Sequence, residues 1–148
     1  MRIETILLLI AVIFFSGCRA EDETAPRVVF LLPDNYLGAF KVSESSSGKA
    51  TKESAKEYVI EIPTNGRVAL EDVGILREWH RLSAKYKSGN SIADGDFDSQ
   101  GGGVRFFSLW TESNGNTFYF VGTLEDFEKA EKAGPWKIEE YLPEMDDG

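Results

Sequence analysis

The sequence predicts a mainly β fold: a small antiparallel β-sandwich-like domain with one α-helix near the C-terminus, over about 124–133. Three observations lead there. Short apolar runs, several of them alternating with polar residues, are separated by Pro, Asn, Asp and Gly at turn positions. The dipeptide Asn114-Gly115 lies between two aromatic-rich runs, a strong hairpin signal. Only one segment, after Thr123, combines a cap residue, an apolar stripe and a stop.

Taken in order, Arg27–Leu32 is β-branched and apolar, and Pro33-Asp34-Asn35 ends it. Gly38–Val42 reads as a second strand. Ser43–Lys56, rich in Ser and alternating Lys with Glu, reads as a solvated loop. In Glu57–Ile62, Tyr58, Ile60 and Ile62 share one face, as in a half-buried strand. Pro63-Thr64-Asn65-Gly66 is a turn, and Arg67–Leu70 resumes as a strand. Glu71–His80 fits a short helix or an irregular crossing, with Gly74 weakening the helix. Arg81–Lys87 alternates again through Leu82, Ala84 and Tyr86.

The hairpin spans Val104–Glu112 and Asn116–Val121. A two-residue turn at Asn114-Gly115 would pair Trp110 with Tyr119 and Leu109 with Phe120. One face then carries Phe107, Leu109, Phe118 and Phe120; the other carries Val104, Phe106, Trp110, Tyr119 and Val121. Both are apolar, which predicts a central hairpin covered on each side. The helix that follows, capped by Thr123 and stopped by Gly134-Pro135, is the expected cover for the Phe106, Trp110 and Tyr119 face. Trp136–Leu142 docks as a strand or a turn of helix. These elements amount to about six to eight mostly antiparallel strands.

The N-terminus has a different character. Met1-Arg2 precedes the ten-residue apolar run Ile6–Phe15, which is shorter than the ~20 residues that span a bilayer. Ser16-Gly17 follow, and then Cys18, the single cysteine of the 148 residues. This pattern resembles the signal and lipobox of bacterial lipoproteins, with Phe15 where that family usually has an aliphatic residue and Glu4 in a normally basic leader. The resemblance implies a signal peptide over 1–17, removed so that an acylated Cys18 carrying fatty acyl chains such as palmitate becomes the first residue. Residues 18–26 then form the lipidated Cys and a tether, 27–142 a single β-rich domain, and 143–148 an acidic tail. Arg19, in place of Asp, implies the outer membrane, periplasmic or surface face, in a two-membrane envelope. Phe30-Leu-Leu-Pro-Asp-Asn-Tyr-Leu-Gly38, Ile62-Pro-Thr-Asn-Gly66 and Phe120-Val-Gly-Thr123 also resemble a group of small exported bacterial domains with no assigned function, and that resemblance implies no site residues.

Composition narrows the function classes. The net charge is −9, and removing residues 1–17 takes away one Arg and one Glu, so it is unchanged. Such a balance argues against nucleic acid and against electrostatic attachment to an anionic bilayer. With Cys18 at the membrane, the domain has no intrachain disulfide and depends on apolar burial. Eight of the ten Phe, the other two being Phe14 and Phe15 of the leader, together with five Tyr and three Trp, supply the surface for it.

Four features invite chemistry. Asp94, Asp96, Asp98 and Gln100 place oxygen ligands at alternate positions, as in calcium loops; Ser99 and Arg105 stand where such a loop has Gly and the closing Glu. The competing reading is a polar connection between strands. Trp79-His80 holds the single histidine, which without a cysteine partner excludes the usual zinc sites, and no Gly-x-Ser-x-Gly supports a hydrolase. Glu71-Asp72 and Glu139-Glu140 carry little signal in a chain with 25 acidic residues. Phe106, Trp110 and Tyr119 are a binding platform for a sugar ring or a partner strand, or else core. The leading expectation is a non-enzymatic envelope lipoprotein without a cofactor, anchored to a membrane by lipid and binding a protein or polymer. A calcium-dependent binding module using the Asp94–Gln100 loop is the alternative, and a hydrolase with an unrecognised site the third.

Overall fold

The computed structural model describes residues 24–54, 56–96 and 102–144. It is mainly β. Nine strands form one mixed sheet: β1 Arg27–Leu32, β2 Gly38–Lys49, β3 Lys52–Ser54, β4 Glu57–Glu61, β5 Arg67–Leu70, β6 Arg81–Tyr86, β7 Ser91–Asp94, β8 Arg105–Thr111 and β9 Thr117–Gly122. Two helices, α1 Gly74–Arg77 and α2 Leu124–Ala133, and a 3₁₀ segment, Pro135–Tyr141, complete it. The strand order is β3-β4-β1-β6-β7-β8-β9-β2-β5.

The mainly β fold with its C-terminal helix is as expected, but the strand pairing is mixed rather than mostly antiparallel. Four of the eight pairings are parallel: β1 with β4, β1 with β6, β2 with β5, and β7 with β8. The reason lies in two turns. The one after β1 and the one after β4 do not fold the chain back onto its own strand; each carries it across the core. β1 then lies along β4, and β2 along β5, as two stacked arches. In the first turn Tyr36 N donates to Pro33 O at 3.1 Å, and Asn35 has a φ of +62°. In the second, Gly66 N donates to Pro63 O at 3.0 Å.

Short β7 joins the two halves of the sheet, antiparallel to β6 and parallel to β8. The sheet curls, so Val28, Phe30 and Leu32 of β1 pack in one core with Phe40 and Val42 of β2 and with Phe106 and Tyr119 of the hairpin. Phe30 lies 5.1 Å from Phe40 and 4.6 Å from Tyr119 between ring centroids. Within α1, Ile75 and Leu76 pack against this core.

The outer face of the hairpin is covered separately. Thr123 Oγ1 accepts from Asp126 N at 3.2 Å, satisfying one of the free N–H groups of α2. Gly134, at φ +74°, ends the helix and donates to Ala130 O and Glu131 O. Between these limits Phe127 stacks on Phe107 at 4.2 Å and 9°, and Ala130 is fully buried. Ile138 from the 3₁₀ segment joins the same cluster as Ala39, Phe118 and Phe120. Glu139 fastens that segment to the sheet by accepting from Lys41 Nζ at 2.9 Å and from Arg67 Nη2 at 3.0 Å.

Two further expectations change. Ser43–Lys56 is not one loop: β2 runs on to Lys49, with Glu44 and Lys49 both opposite Leu70 and the residues between them bulged out. The Asn114-Gly115 hairpin forms, but with a three-residue loop. Glu112 N donates to Asn116 O at 2.8 Å, Gly115 N donates to Glu112 O at 2.9 Å, and Gly115 takes a φ of +88°. Asn114 Oδ1 accepts from Asn116 N and helps to select this turn.

Candidate functional site

The change in the hairpin determines what becomes of the aromatic platform. Ser108, not Trp110, lies opposite Tyr119, and Phe107 lies opposite Phe120. The register shifts again between Ser108 and Thr111, where Leu109 and Trp110 face Phe118 alone. Such a bulge turns both residues toward one side. Leu109 and Trp110 therefore pack with Phe118 under the outer cover, and the Trp110 and Phe118 rings are 6.1 Å apart. Phe106 and Tyr119 point the other way into the main core, 2% and 3% exposed. The three residues are not brought together on an open face. Helix α2 covers the Phe107, Phe118 and Phe120 side, not the side that the sequence suggested.

Of the proposed calcium ligands, Asp98 and Gln100 lie outside the described residues, as does Cys18. Asp94 and Asp96 close the end of the β7–β8 pair. Asp94 Oδ1 accepts from Asp96 N at 2.9 Å, and Asp96 Oδ2 accepts from Ser108 N at 3.1 Å. Gly95 N donates to Phe106 O at 2.7 Å. A Cβ on Gly95 would run into the Phe107 ring, so this glycine has a packing reason of its own. Among the described residues no group of three or more His, Cys, Asp or Glu side chains is gathered as a metal site.

His80 Nδ1 lies 2.6 Å from the carbonyl oxygen of Glu78. Glu139 is occupied by Lys41 and Arg67, and the hydrogen bond from Lys41 holds its carboxyl below the usual carboxylate range. Burial pushes the Tyr36 and Tyr119 hydroxyls above the ordinary phenol range, so both stay neutral.

Among the described residues, two open clefts concern the site. One, of about 680 Å³, lies between the α1 region and the β3–β4 edge, with Tyr58 and Ile75 on its walls and Glu53, Glu71, Asp72 and Glu78 around it. Tyr58 Oη donates to Glu53 Oε1 at 3.3 Å; partial burial, followed by the charges of Glu53 and Glu78, raises its pKa. The other cleft, of about 340 Å³, is more apolar and is lined by Leu37, Val104, Phe120 and Tyr141 near the start of α2. Sequence reasoning missed both. Glu71-Asp72 was visible as a pair, but its place on one cleft with Glu53 depends on how the edge strands pair, which leaves no local signal.

No family model matches the chain, and no curated protein matches it. Among solved structures, one crystal structure from Bacillus anthracis, described provisionally as a lipoprotein, aligns over 80% of this chain and 97% of its own. The identity is 14% and the TM-score 0.39, so the likeness carries no functional argument. No helix among the described residues is long and apolar enough to cross a membrane.

Proposed function

We propose that the chain is an exported cell-envelope protein, held on a membrane by acyl chains on Cys18, whose β domain binds a protein or polymer neighbour without catalysis. One observation carries the reading. The single cysteine follows directly on a ten-residue apolar run and the small pair Ser16-Gly17, where a signal peptidase would leave it as the first residue. The polar stretch Arg19–Pro26 would then separate Cys18 from β1 by at most about 28 Å if fully extended, and less where Ala25 and Pro26 are held by the domain. Arg19 favours the outer membrane in a two-membrane envelope.

The surroundings of the ionisable groups favour binding over catalysis. Asp94 and Asp96 hold backbone N–H groups, Glu139 holds Lys41 and Arg67, and His80 contacts a carbonyl. Each of these groups has a local structural use.

The test is the mass of the native N-terminus. An acylated Cys18 as first residue is expected, with incorporation of labelled palmitate abolished by Cys18→Ser. An unmodified N-terminus beyond Cys18, or an intact Met1, would sink the proposal.

A further inference from the structure

The registers of the sheet place Ala25 and Pro26, where the chain enters β1, and one exposed tryptophan at the same end of the domain. Arg27 lies opposite both Glu57 and Arg81, so β1, β4 and β6 all begin at one end. The incoming chain is pinned there. Arg27 N donates to Lys56 O at 2.9 Å, Arg81 N to Pro26 O at 2.8 Å, and Arg81 Nη2 to Ala25 O at 3.3 Å. Ala25 is itself 5% exposed. From Cys18 to this fixed point is seven residues (25 − 18), at most about 25 Å of extended chain. Trp79 stands two residues before Arg81, on the segment that leaves α1, and is 77% exposed. Just before that segment, Ile75 and Leu76 of α1 are partly buried against the core. The indole is therefore presented on a supported backbone.

We propose that this end of the domain rests on the lipid surface, with the Trp79 indole seated at the level of the headgroups. The inference rests on lipid anchorage at Cys18. Tryptophan favours that level because its apolar rings and its N–H donor suit the two sides of the boundary. A single indole binds weakly on its own. Anchorage makes its contact intramolecular, at an effective concentration set by the short spacer. Charge does not drive the docking. Glu57 lies opposite Arg27 at the start of β4, and Glu53, Glu71, Asp72 and Glu78 surround the cleft that Tyr58 of the same strand lines, so this end has no basic excess to attract anionic lipid. The occupant is thus a neutral, zwitterionic interface. In this orientation the turns after β1 and β4, together with the cleft of Leu37 and Val104, point away from the membrane and toward envelope partners.

The experiment uses the chain beginning at Cys18, with a phosphatidylethanolamine coupled through a maleimide to that single thiol, on phosphatidylcholine vesicles with or without brominated acyl chains. Trp136→Phe retains Trp79, and Trp79→Phe retains Trp136, which is 94% exposed on the 3₁₀ segment outside the sheet. Both replaced side chains are on the surface, so both variants fold; unchanged melting curves verify it. Brominated lipid should quench the Trp136→Phe protein at least roughly twofold more than the Trp79→Phe protein. The difference should persist at about 0.5 M salt, where electrostatic docking would fade. Equal emission from the Trp136→Phe protein in both lipids, or quenching that follows Trp136, overturns the orientation. Because the lipid is attached chemically, such a failure is separate from the question of native acylation, which the N-terminal mass decides.

Discussion

Replacing Gly66 by alanine tests the arch that sets this topology. Gly66 takes a φ of +69° in the turn between β4 and β5, its N–H closes that turn on Pro63, and its carbonyl accepts from Lys41 N at 2.7 Å. An added Cβ would fall inside contact distance of Tyr36 Oη and at 3.0 Å from Ala39 O. Tyr36 Oη donates to that same Ala39 O at 2.6 Å, and Tyr36 is 5% exposed. The left-handed backbone conformation costs an alanine about 1–2 kcal/mol. Displacing the hydroxyl leaves buried polar groups unpaired, at about 1–3 kcal/mol. Alanine also restricts the unfolded chain and recovers about 0.4–1 kcal/mol. The net expectation is a destabilisation of about 2–4 kcal/mol, a fall in melting temperature of roughly 10–15 °C for a domain of this size. Urea unfolding supplies the free energy. The same substitution in a Tyr36→Phe background should cost only about 1 kcal/mol, the left-handed backbone less the unfolded-chain recovery, because the displaced hydroxyl is already gone. A Gly66→Ala protein within about 0.5 kcal/mol of the parent would refute the reasoning. Equal cost in both backgrounds would remove Tyr36 from it.

Thr123→Ala should lose about 1 kcal/mol through the missing cap of α2, read by urea unfolding. The depressed pKa of Glu139 means that the folded state favours the carboxylate, so its contribution is present above the unfolded pKa and lost as pH falls through the folded one. Melting curves through the acid range should therefore show a slightly flatter decline for Glu139→Gln. The difference should stay under about 1 kcal/mol, since the side chain is 53% exposed. Millimolar calcium should leave the melting temperature unchanged, because Asp94 and Asp96 already serve backbone donors and Arg105 stands where a closing carboxylate is needed. A clear rise with calcium, abolished by Asp96→Ala, would make the loop the functional centre.

The features legible in the sequence are those set by residues a few positions apart. The apolar run before Cys18 is a pattern of composition and spacing. Helix α2 matches its expected span because Thr123, the stripe of Leu124, Phe127 and Ala130, and Gly134 act within single turns of the chain. Pro63 to Gly66 is a turn because Gly66 accepts a left-handed φ. Turn chemistry locates where a strand ends, but not which strand the chain meets next. The same turn serves a hairpin or an arch, and only the packing of Val28, Phe30 and Leu32 against Phe40 and Val42 selects the arch and hence the parallel pairing. Register behaves likewise: an extra residue at the Asn114-Gly115 turn and a bulge at Leu109-Trp110 moved Trp110 across the sheet, because side-chain direction has a period of two. That Glu53 and Glu71 line one cleft, and that Arg27 and Arg81 enter the sheet at one end, comes from strand pairings between distant parts of the chain, and no short stretch of residues encodes either of them.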